Sequence, residues 1–434
     1  MDHFSMSTLS VVVDTEVERG TRSSRFAPVT AWFLAASLAL VPTVSSAFLS
    51  TENGGSGPTG NDSSMAPVVL ENDATADQDM AFSQGVTRYW TSERLMNAQV
   101  LDMPVTDLTD MDSQQSFDDM TAVTPQSHAS ARGEGKAIPN RRSRLHQRLD
   151  REALKALIKA AKDRTDDANS TLDNTTFDRG TANLDFSSSR LVPRSARTAY
   201  PYRTVGKLFF SKPDGDYVCS ASIIGKRLVL TAGHCVYGNH DGTKQFWRNF
   251  LFVPAFYYGQ APYQQWSWSY VVIPGSWAAS PSVPNQSDFA IIEARDRVVG
   301  SSLTRIGAWL GHLGWRTYSL SNNHVKQMGY PCNLDSCQEM HQVDSGDYVN
   351  NSQNTVAYGS DMRGGASGGP QVMNFGNPSV GQFLSLGRMN QVVGVNSYGH
   401  GTNVFLKYIG SSTLNSEFVT IWNMACAHKV GNCS

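Results

Sequence analysis

The chain has 434 residues and a formal net charge of −2 at pH 7. This length excludes a single ordinary domain, and the near-neutral charge gives no indication of a nucleic-acid or anionic-membrane partner. Residues 51 to about 198 are rich in Asp, Ser, Thr and Gln, whereas the part from Tyr200 onward carries most aromatic residues and all six cysteines. We therefore expect a largely flexible region to precede a folded domain.

The N-terminus has the pattern of an export signal. Arginines between positions 19 and 25 precede an apolar run over 31–41, and small residues stand at Ser45 and Ala47. This order predicts a signal peptide over 1–47 that is cleaved after Ala47. A membrane anchor through residues 31–47 is the alternative, although a membrane span needs about 20 apolar residues.

Residues 48–197 are expected to be a propeptide that acts as a folding aid or an inhibitor. Apolar residues recur at helical spacing within 141–162 and predict a basic amphipathic helix, which either docks on the following domain or stays solvated. The polar stretch from Arg190 to Arg197 carries three arginines and Pro193, and we expect a linker open to proteolysis there.

From Tyr202 the pattern changes to short β-type runs separated by turn residues, which favours an all-β barrel or sandwich. Only the segment Glu417 to Cys426 is expected to be helical, with Asn415 or Ser416 as its cap. The predicted strands are 205–210, 218–224, 228–232, 271–273, 289–293 and 392–396.

In an exported chain the six cysteines indicate disulfides, and pairing of sequence neighbours is the simplest arrangement. Zinc binding with His341 and His428 is the alternative, but no CxxC repeat supports it, so we expect no metal. The cysteines are Cys219, Cys235, Cys332, Cys337, Cys426 and Cys433. Glycosylation sequons stand at Asn61, Asn169, Asn174, Asn285, Asn350 and Asn432.

Two motifs carry chemistry when they occur together. In Thr231-Ala-Gly-His234-Cys235 a strand leads into a turn that ends in a histidine, beside a cysteine. In the glycine-rich run 364–370, Ser367 would stand exposed on a tight turn. The backbone amides of Gly365 and Ser367 would then form an oxyanion hole.

The third member of such a site is a carboxylate that orients the histidine. Asp288 opens an apolar run that predicts a buried strand, and burying a charge there is costly unless it is paired. The rivals, none of which opens a strand in this way, are Asp296, Asp335, Asp344 and Asp347.

Residues from about 200 to 425 resemble chymotrypsin-fold, trypsin-like serine proteases through these motifs. Among the subfamilies, the resemblance is closest to the secreted glutamyl endopeptidases. It rests on Tyr200-Pro-Tyr-Arg203, Ile273-Pro-Gly-Ser-Trp277, Gly329-Tyr-Pro331 and Asp361-Met-Arg-Gly-Gly365. The resemblance implies a protease domain over 198–434, made of two six-stranded antiparallel barrels with the active site between them and a C-terminal helix.

The sequence departs from the family pattern at two positions. Ala366 replaces the aspartate that pairs with a freed N-terminus in many trypsin-type enzymes, so activation should rest on removing the pro-segment. Asn396 stands where glutamyl endopeptidases have a histidine that recognises acidic side chains. Asp361 matches the position that binds Arg or Lys in trypsin-like enzymes. A preference for basic, for acidic or for uncharged substrate side chains therefore remains open.

The run from Gly394 to Gly399 resembles the pocket wall and the strand that pairs with substrate. We therefore expect Asp361, Asn396, Ser397, Tyr398 and Gly399 to bind substrate, with Ser397 also packing against Asp288 and His234. The expected function is a secreted, monomeric serine endopeptidase, made as a zymogen, that acts on proteins or peptides through an acyl-enzyme without a cofactor. A catalytically silent homologue that acts as a binding protein is the alternative.

Overall fold

The computed structural model describes residues 65–72, 76–104, 129–135, 186–317, 324–351, 355–377, 388–399 and 407–433. The expected signal peptide and the expected basic helix over 141–162 lie outside these ranges. No helix of the described ranges is long and apolar enough to cross a membrane.

The described parts of residues 48–197, here called the N-terminal region, form short elements that add to the domain that follows. The elements are β1 (Val68–Glu71), α1 (Ala76–Tyr89), α2 (Ser92–Asn97), β2 (Gln99–Val100), β3 (Ser130–Ala131) and β4 (Phe186–Arg190). Trp90, which follows α1, is buried, and its Nε1 donates to the Asn249 carbonyl at 2.6 Å. Sequence patterns did not predict these elements.

The first half of the domain that follows the N-terminal region contains β5 to β12 in chain order. The strands are β5 (Val205–Lys212), β6 (Gly215–Ile223), β7 (Leu228–Thr231), β8 (Tyr237–His240), β9 (Thr243–Phe246), β10 (Arg248–Pro254), β11 (Trp268–Ile273) and β12 (Ala290–Ala294), with helix α3 (Gly275–Ala279) between the last two. Six of them form an antiparallel barrel in the order β11-β12-β7-β6-β5-β10. Two reciprocal backbone hydrogen bonds of 2.8 Å between Phe252 and Trp266 close it.

The second half forms another barrel. Its elements are β13 (Arg297–Val299), β14 (Ser302–Thr304), α4 (Ile306–Leu310), β15 (Gly314–Arg316), β16 (His324–Gly329), β17 (His341–Asn351), β18 (Thr355–Gly359), β19 (Pro370–Met373), β20 (Gln391–Gly399), β21 (Tyr408–Thr413) and α5 (Ser416–His428). The antiparallel order β16-β17-β18-β21-β20 closes through β19, which pairs with both β16 and β20. The predicted two six-stranded barrels are confirmed.

The local predictions within this domain hold except that two short helices, α3 and α4, are present besides the one expected at the C-terminus. The expected strands fall within or overlap β5, β6, β7, β11, β12 and β20, because alternating or continuous apolar runs face a core on one or both sides. The C-terminal helix begins after Asn415, whose side-chain oxygen accepts from the amides of Glu417 and Phe418. This Asn cap satisfies amides that a helix start leaves unpaired.

The arginine-rich stretch before the domain is folded rather than an open linker. Arg190 ends β4, and its guanidinium pairs with Asp335 at 2.5 Å and Glu339 at 2.8 Å. Residues Arg194–Thr198 form a 3-10 helix, and Arg197 lies 4.0 Å from the centre of the Tyr257 ring. The ion pairs and the ring contact, which sequence spacing does not reveal, hold this stretch against the domain.

The six cysteines form the three expected local pairs, Cys219–Cys235, Cys332–Cys337 and Cys426–Cys433.

One of the glycosylation sequons is not available for modification in this fold. The Asn432 side chain is buried and its amide donates to Glu293 at 2.6 Å and to the Ala425 carbonyl at 2.7 Å. Through these two hydrogen bonds, Asn432 holds the C-terminal loop against β12.

Lys207 on β5 is buried in the first barrel, and its ammonium group lies 5.0 and 4.7 Å from the ring centres of Phe209 and Phe256. Burial lowers the pKa of Lys207 to about 7 from 10.5, because loss of water penalises the charged form more than the rings favour it. Between these two values the unfolded chain binds a proton that the folded chain lacks. Lys207 therefore makes the domain more stable as the pH rises from 7 towards 10.

We predict that Lys207→Met raises the free energy of unfolding at pH 7 and reduces its increase with pH, by up to about 1.4 kcal/mol per pH unit. Denaturant unfolding at several pH values between 7 and 10 measures both quantities. Lys429, which is exposed, is the matched control, and Lys429→Met should keep the slope of the unmodified chain. An unchanged slope in Lys207→Met would contradict the prediction.

Candidate active site

His234 lies in a one-turn 3-10 segment, Gly233–Cys235, directly after β7. The disulfide between Cys235 and Cys219 fastens this turn to β6. The indole Nε1 of Trp247 donates to the His234 carbonyl at 2.9 Å. The histidine is thus fixed through its backbone on two sides, and its ring direction is left to its side-chain partner.

That partner is Asp288, which stands two residues before β12 and is fully buried. Its Oδ1 accepts from the His234 amide at 2.8 Å, and its Oδ2 lies 2.8 Å from Nδ1 of the same residue. The Ser397 hydroxyl donates to Oδ2 at 2.5 Å. The structure therefore brings together Asp288, His234 and Ser397.

Two of the rival carboxylates, Asp296 and Asp335, have other partners. Asp296 binds the Arg227 guanidinium with both oxygens, at 2.6 and 2.7 Å. Asp335 pairs with Arg190 and lies 2.8 Å from Nε2 of His341. Among the described residues, Asp288 is the carboxylate that reaches His234.

The bond from Nδ1 to Asp288 leaves the other ring nitrogen, Nε2, as the proton acceptor. Nε2 of His234 and Oγ of Ser367 are both buried, and neither has a hydrogen-bond partner in the described part of the chain. Other buried atoms of the described residues, such as Oγ of Ser222, also lack a partner, so it is the pairing of a base with a hydroxyl that distinguishes these two. A buried base and a buried hydroxyl of this kind are suited to proton transfer with a third group.

The turn around Ser367 requires its glycines. Gly365 has φ of +91° and Gly368 has φ of +78°, in the left-handed region that favours glycine. A Cβ on Gly368 would lie 2.1 Å from Oγ1 of Thr231, and one on Gly365 would lie 2.5 Å from the Tyr330 carbonyl oxygen. The turn thus packs directly against both barrels.

Hydrogen bonds to the carbonyl groups of this turn fix its backbone, and two of its amides are left without an acceptor among the described residues. The Gly364 carbonyl accepts from the Cys332 amide at 2.8 Å, and the Gly365 carbonyl accepts from the Ser220 hydroxyl at 2.8 Å. The amides of Gly365 and Ser367 donate to no acceptor within the described residues. Free amides on a fixed backbone suit the stabilisation of a developing oxyanion.

Ser220 on β6 was missed by sequence reasoning. Its hydroxyl accepts from the Tyr330 amide at 2.8 Å while donating to Gly365, and its own amide donates to the Ser367 carbonyl at 2.7 Å. Ser220 thereby ties the turn around Ser367 to the first barrel. Its place directly after Cys219 was the one available signal, since the disulfide brings that stretch to the histidine turn.

Asn396 and Tyr398, both expected to bind substrate, have hydrogen-bond partners within the chain. Asn396 is fully buried, and its side chain bonds Gln371 and the carbonyls of Ala366 and Met328 at 3.2 to 3.4 Å. The Tyr398 hydroxyl donates to Oγ1 of Thr355 at 3.2 Å, inside the second barrel. These contacts direct the Asn396 and Tyr398 side chains to internal partners.

Asp361 and Gly399 contact the N-terminal region. An oxygen of Asp361 accepts from the Ser188 hydroxyl of β4 at 2.8 Å, and burial raises the pKa of this carboxyl group. The Gly399 amide donates to the Pro104 carbonyl at 2.9 Å. Gly399, expected to pair with substrate backbone, thus pairs with the chain's own backbone here.

Two groups of side chains within the described residues have the composition of metal ligands. The first contains His234 and the two cysteines of the Cys219–Cys235 disulfide, whose sulfurs are used by that bond. The second contains Asp335, Glu339 and His341, and here the Arg190 guanidinium supplies the positive charge. Both groups are accounted for by covalent or ionic pairing within the chain.

The family model for trypsin matches residues 192–416, slightly more than half of the chain. The chain belongs to the trypsin family of serine proteases. A glutamyl endopeptidase of Bacillus licheniformis is 28% identical over 212 residues, which make up 48% of this chain and 61% of that protein. This trypsin-family chain therefore spans about three fifths of the length of that relative.

Solved protease structures are also similar to this trypsin-family chain. The protease Anisep from Arthrobacter nicotinovorans has a TM-score of 0.42 at 26% identity, over 52% of this chain and 96% of its own. A glutamyl endopeptidase in complex with MPD has a TM-score of 0.43 at 20% identity, over 57% of this chain and 100% of its own.

We predict that Ser220→Ala lowers kcat for peptide hydrolysis by about tenfold or more and leaves KM nearly unchanged. Ser220 holds the turn that carries the free amides of Gly365 and Ser367, and loss of a fixed oxyanion donor typically costs about 100-fold or more in kcat. Steady-state kinetics with one peptide substrate separate the two constants. Ser222→Ala is the matched control on the same strand, since the buried Ser222 hydroxyl has no partner among the described residues. Equal losses in both variants would contradict a positioning role for Ser220.

Proposed function

We propose that this chain is a secreted serine endopeptidase, made as a zymogen, that hydrolyses peptide bonds through an acyl-enzyme. Ser367 is the nucleophile, His234 is the general base, and Asp288 orients the histidine. The observation that carries the proposal is the Asp288–His234 pair, with bonds of 2.8 Å at both the backbone amide and Nδ1. Ser367 stands on a glycine-rich turn, and its Oγ, like Nε2 of His234, has no hydrogen-bond partner among the described residues.

The geometry supports the following sequence of proton transfers. Nε2 of His234 takes the Ser367 proton as Oγ attacks the scissile carbonyl, and the amides of Gly365 and Ser367 stabilise the oxyanion. His234 then returns the proton to the leaving amine, and the acyl group stays on Oγ. Water hydrolyses this ester by the same route. Asp288 stabilises the imidazolium in both halves, and the Ser397 hydroxyl donates to its Oδ2.

The division of the chain is part of the same proposal. Residues 1–47 are a signal peptide, 48–197 a propeptide and 198–434 the protease domain, with secretion in keeping with the three disulfides. Antiparallel pairing of β1 with β11 and of β4 with β17 supports a propeptide that also aids folding. N-terminal sequencing of the secreted, active form should place its start well beyond Phe48.

We expect Ser367→Ala to lower kcat by about 10⁶, because removal of a nucleophile of this kind abolishes the acyl-enzyme route. Cleavage of a diverse peptide library by the processed protein, with and without the substitution, provides the measurement. Unchanged cleavage by Ser367→Ala would overturn the nucleophile assignment. If the processed, folded protein cleaves nothing, the silent binding protein becomes the better account.

A further inference from the structure

A short stretch of the N-terminal region crosses the candidate active site. We call residues 99–104 the cleft segment. It begins beside the first barrel, where Gln99 and Val100 of β2 pair in parallel with Tyr217 and Val218 of β6. It ends beside the second barrel, where the Pro104 carbonyl accepts from the Gly399 amide at 2.9 Å.

Between these ends the cleft segment lies against the nucleophile turn. A Cβ built on Gly364 would lie 2.5 Å from Cγ1 of Val100 and 2.9 Å from the Leu101 carbonyl oxygen. Contacts this close leave no room for a second chain along the turn. The complete burial of Ser367 agrees with this, because the hydroxyl of an open site would be accessible.

Met103 occupies the position next to the nucleophile on the second-barrel side. A Cβ on Gly399 would lie 2.8 Å from the Met103 sulfur, which places this side chain against β20. Met103 is only 6% exposed and belongs to a buried cluster that includes Met362, Ala366 and Ile409. Ala366 directly precedes Ser367, and Ile409 pairs with Gly399 across β20 and β21.

The cluster that receives Met103 is apolar. Asp361, next to Met362 in sequence, has its carboxylate bonded to Ser188 of β4, and the Asn396 side chain is fully bonded inside the barrel. A thioether gains from such surroundings, whereas an unpaired ammonium or carboxylate would lose its hydration without replacement. The members of this cluster that remain after removal of residues 48–197 are also apolar, so the pocket suits an uncharged side chain; they are Val343, Met362, Ala366 and Ile409.

The chain direction of the cleft segment is opposite to that of a substrate. His234 returns its proton to the leaving amine, so the C-terminal half of a substrate passes the histidine turn and β6, which the Cys219–Cys235 disulfide joins. The N-terminal half then passes Gly399. In the cleft segment the earlier residues, 99 and 100, lie at β6 and the later residue, Pro104, lies at Gly399.

We propose that the cleft segment is a built-in inhibitor that fills the active site in reverse, with Met103 in the specificity pocket, and that this pocket selects methionine-like apolar residues before the scissile bond. The proposal rests on the proposed function, with Ser367 as the nucleophile. In the reversed direction the amide nitrogen of each peptide bond lies on the side away from His234. No leaving amine can then receive the proton, and the segment blocks the site without being cut.

Labelling of the intact secreted chain by a fluorophosphonate probe tests the inhibitor. Gels separate the full-length band from processed protein, and the labelling rate of each band is measured. Met103→Asp should label the full-length band about tenfold faster or more, because it disfavours the occluded state. Asp102→Asn changes an exposed neighbour in the same segment and should label as slowly as the unmodified chain.

Equal labelling rates of the full-length band in all three chains, with processed protein labelled normally, would overturn the inhibitor while leaving the proposed function intact. No labelling of processed protein would instead overturn the proposed function. If Met103→Asp is not secreted, Met103→Gly empties the pocket without adding a charge and should give the same acceleration.

Substrate selection is tested with the processed protein and four peptides that differ only in the residue before the scissile bond. We expect kcat/KM for methionine and norleucine to exceed that for lysine and glutamate by about a hundredfold, because norleucine matches methionine in shape and burying an unpaired charge is costly. Preference for lysine would show that Asp361 reaches the pocket once β4 leaves, and preference for glutamate would show that Asn396 reorients. Either result would overturn the apolar pocket.

Discussion

The fully buried carboxylate of Asp288 is the group on which the arrangement of the two barrels depends. A charge without exposure to water is tolerated only when hydrogen bonds replace its hydration, and the three donors here come from two residues, one in each barrel. The backbone amide and Nδ1 of His234 come from the first barrel, and the hydroxyl of Ser397 comes from the second. Removing either barrel's contribution would leave this buried carboxylate with at least one bond unmade. The same bonds that stabilise the interface thus fix the direction of the imidazole ring.

The turn around Ser367 depends on the same interface from the opposite side. Its glycines permit the left-handed torsions, but the turn is held by groups from both barrels: Ser220 binds the Gly365 and Ser367 carbonyls, and Asn396 binds the Ala366 carbonyl. A backbone fixed in this way holds its free amides without a cost at the moment of reaction. Asn396, expected at the substrate, belongs by its contacts to this support. The turn, the histidine and the carboxylate therefore form one connected unit rather than three separate motifs.

How far the sequence could predict this unit follows from the range of each interaction. His234, Asp288 and Ser367 stand in local patterns, and the disulfides join sequence neighbours, so both could be predicted. Ser220 and Met103 act through contacts between segments that are far apart in sequence. The hydrogen bond between Ser220 and Gly365, for example, joins residues that are 145 positions apart. The short strands of the N-terminal region also lack a periodic signal of their own, because their order comes from pairing with strands of the barrels. Composition alone indicated flexibility there.

Identification of the serine that a fluorophosphonate modifies tests the central claim most directly. Processed protein is labelled, digested and analysed by mass spectrometry, with His234→Ala as the control for activation by the histidine. The account predicts one adduct, on Ser367, that is lost or strongly reduced in His234→Ala, since the hydroxyl is a weak nucleophile without its base. An adduct on another serine, or equal modification of Ser367 in both proteins, would contradict an active site built from Asp288, His234 and Ser367.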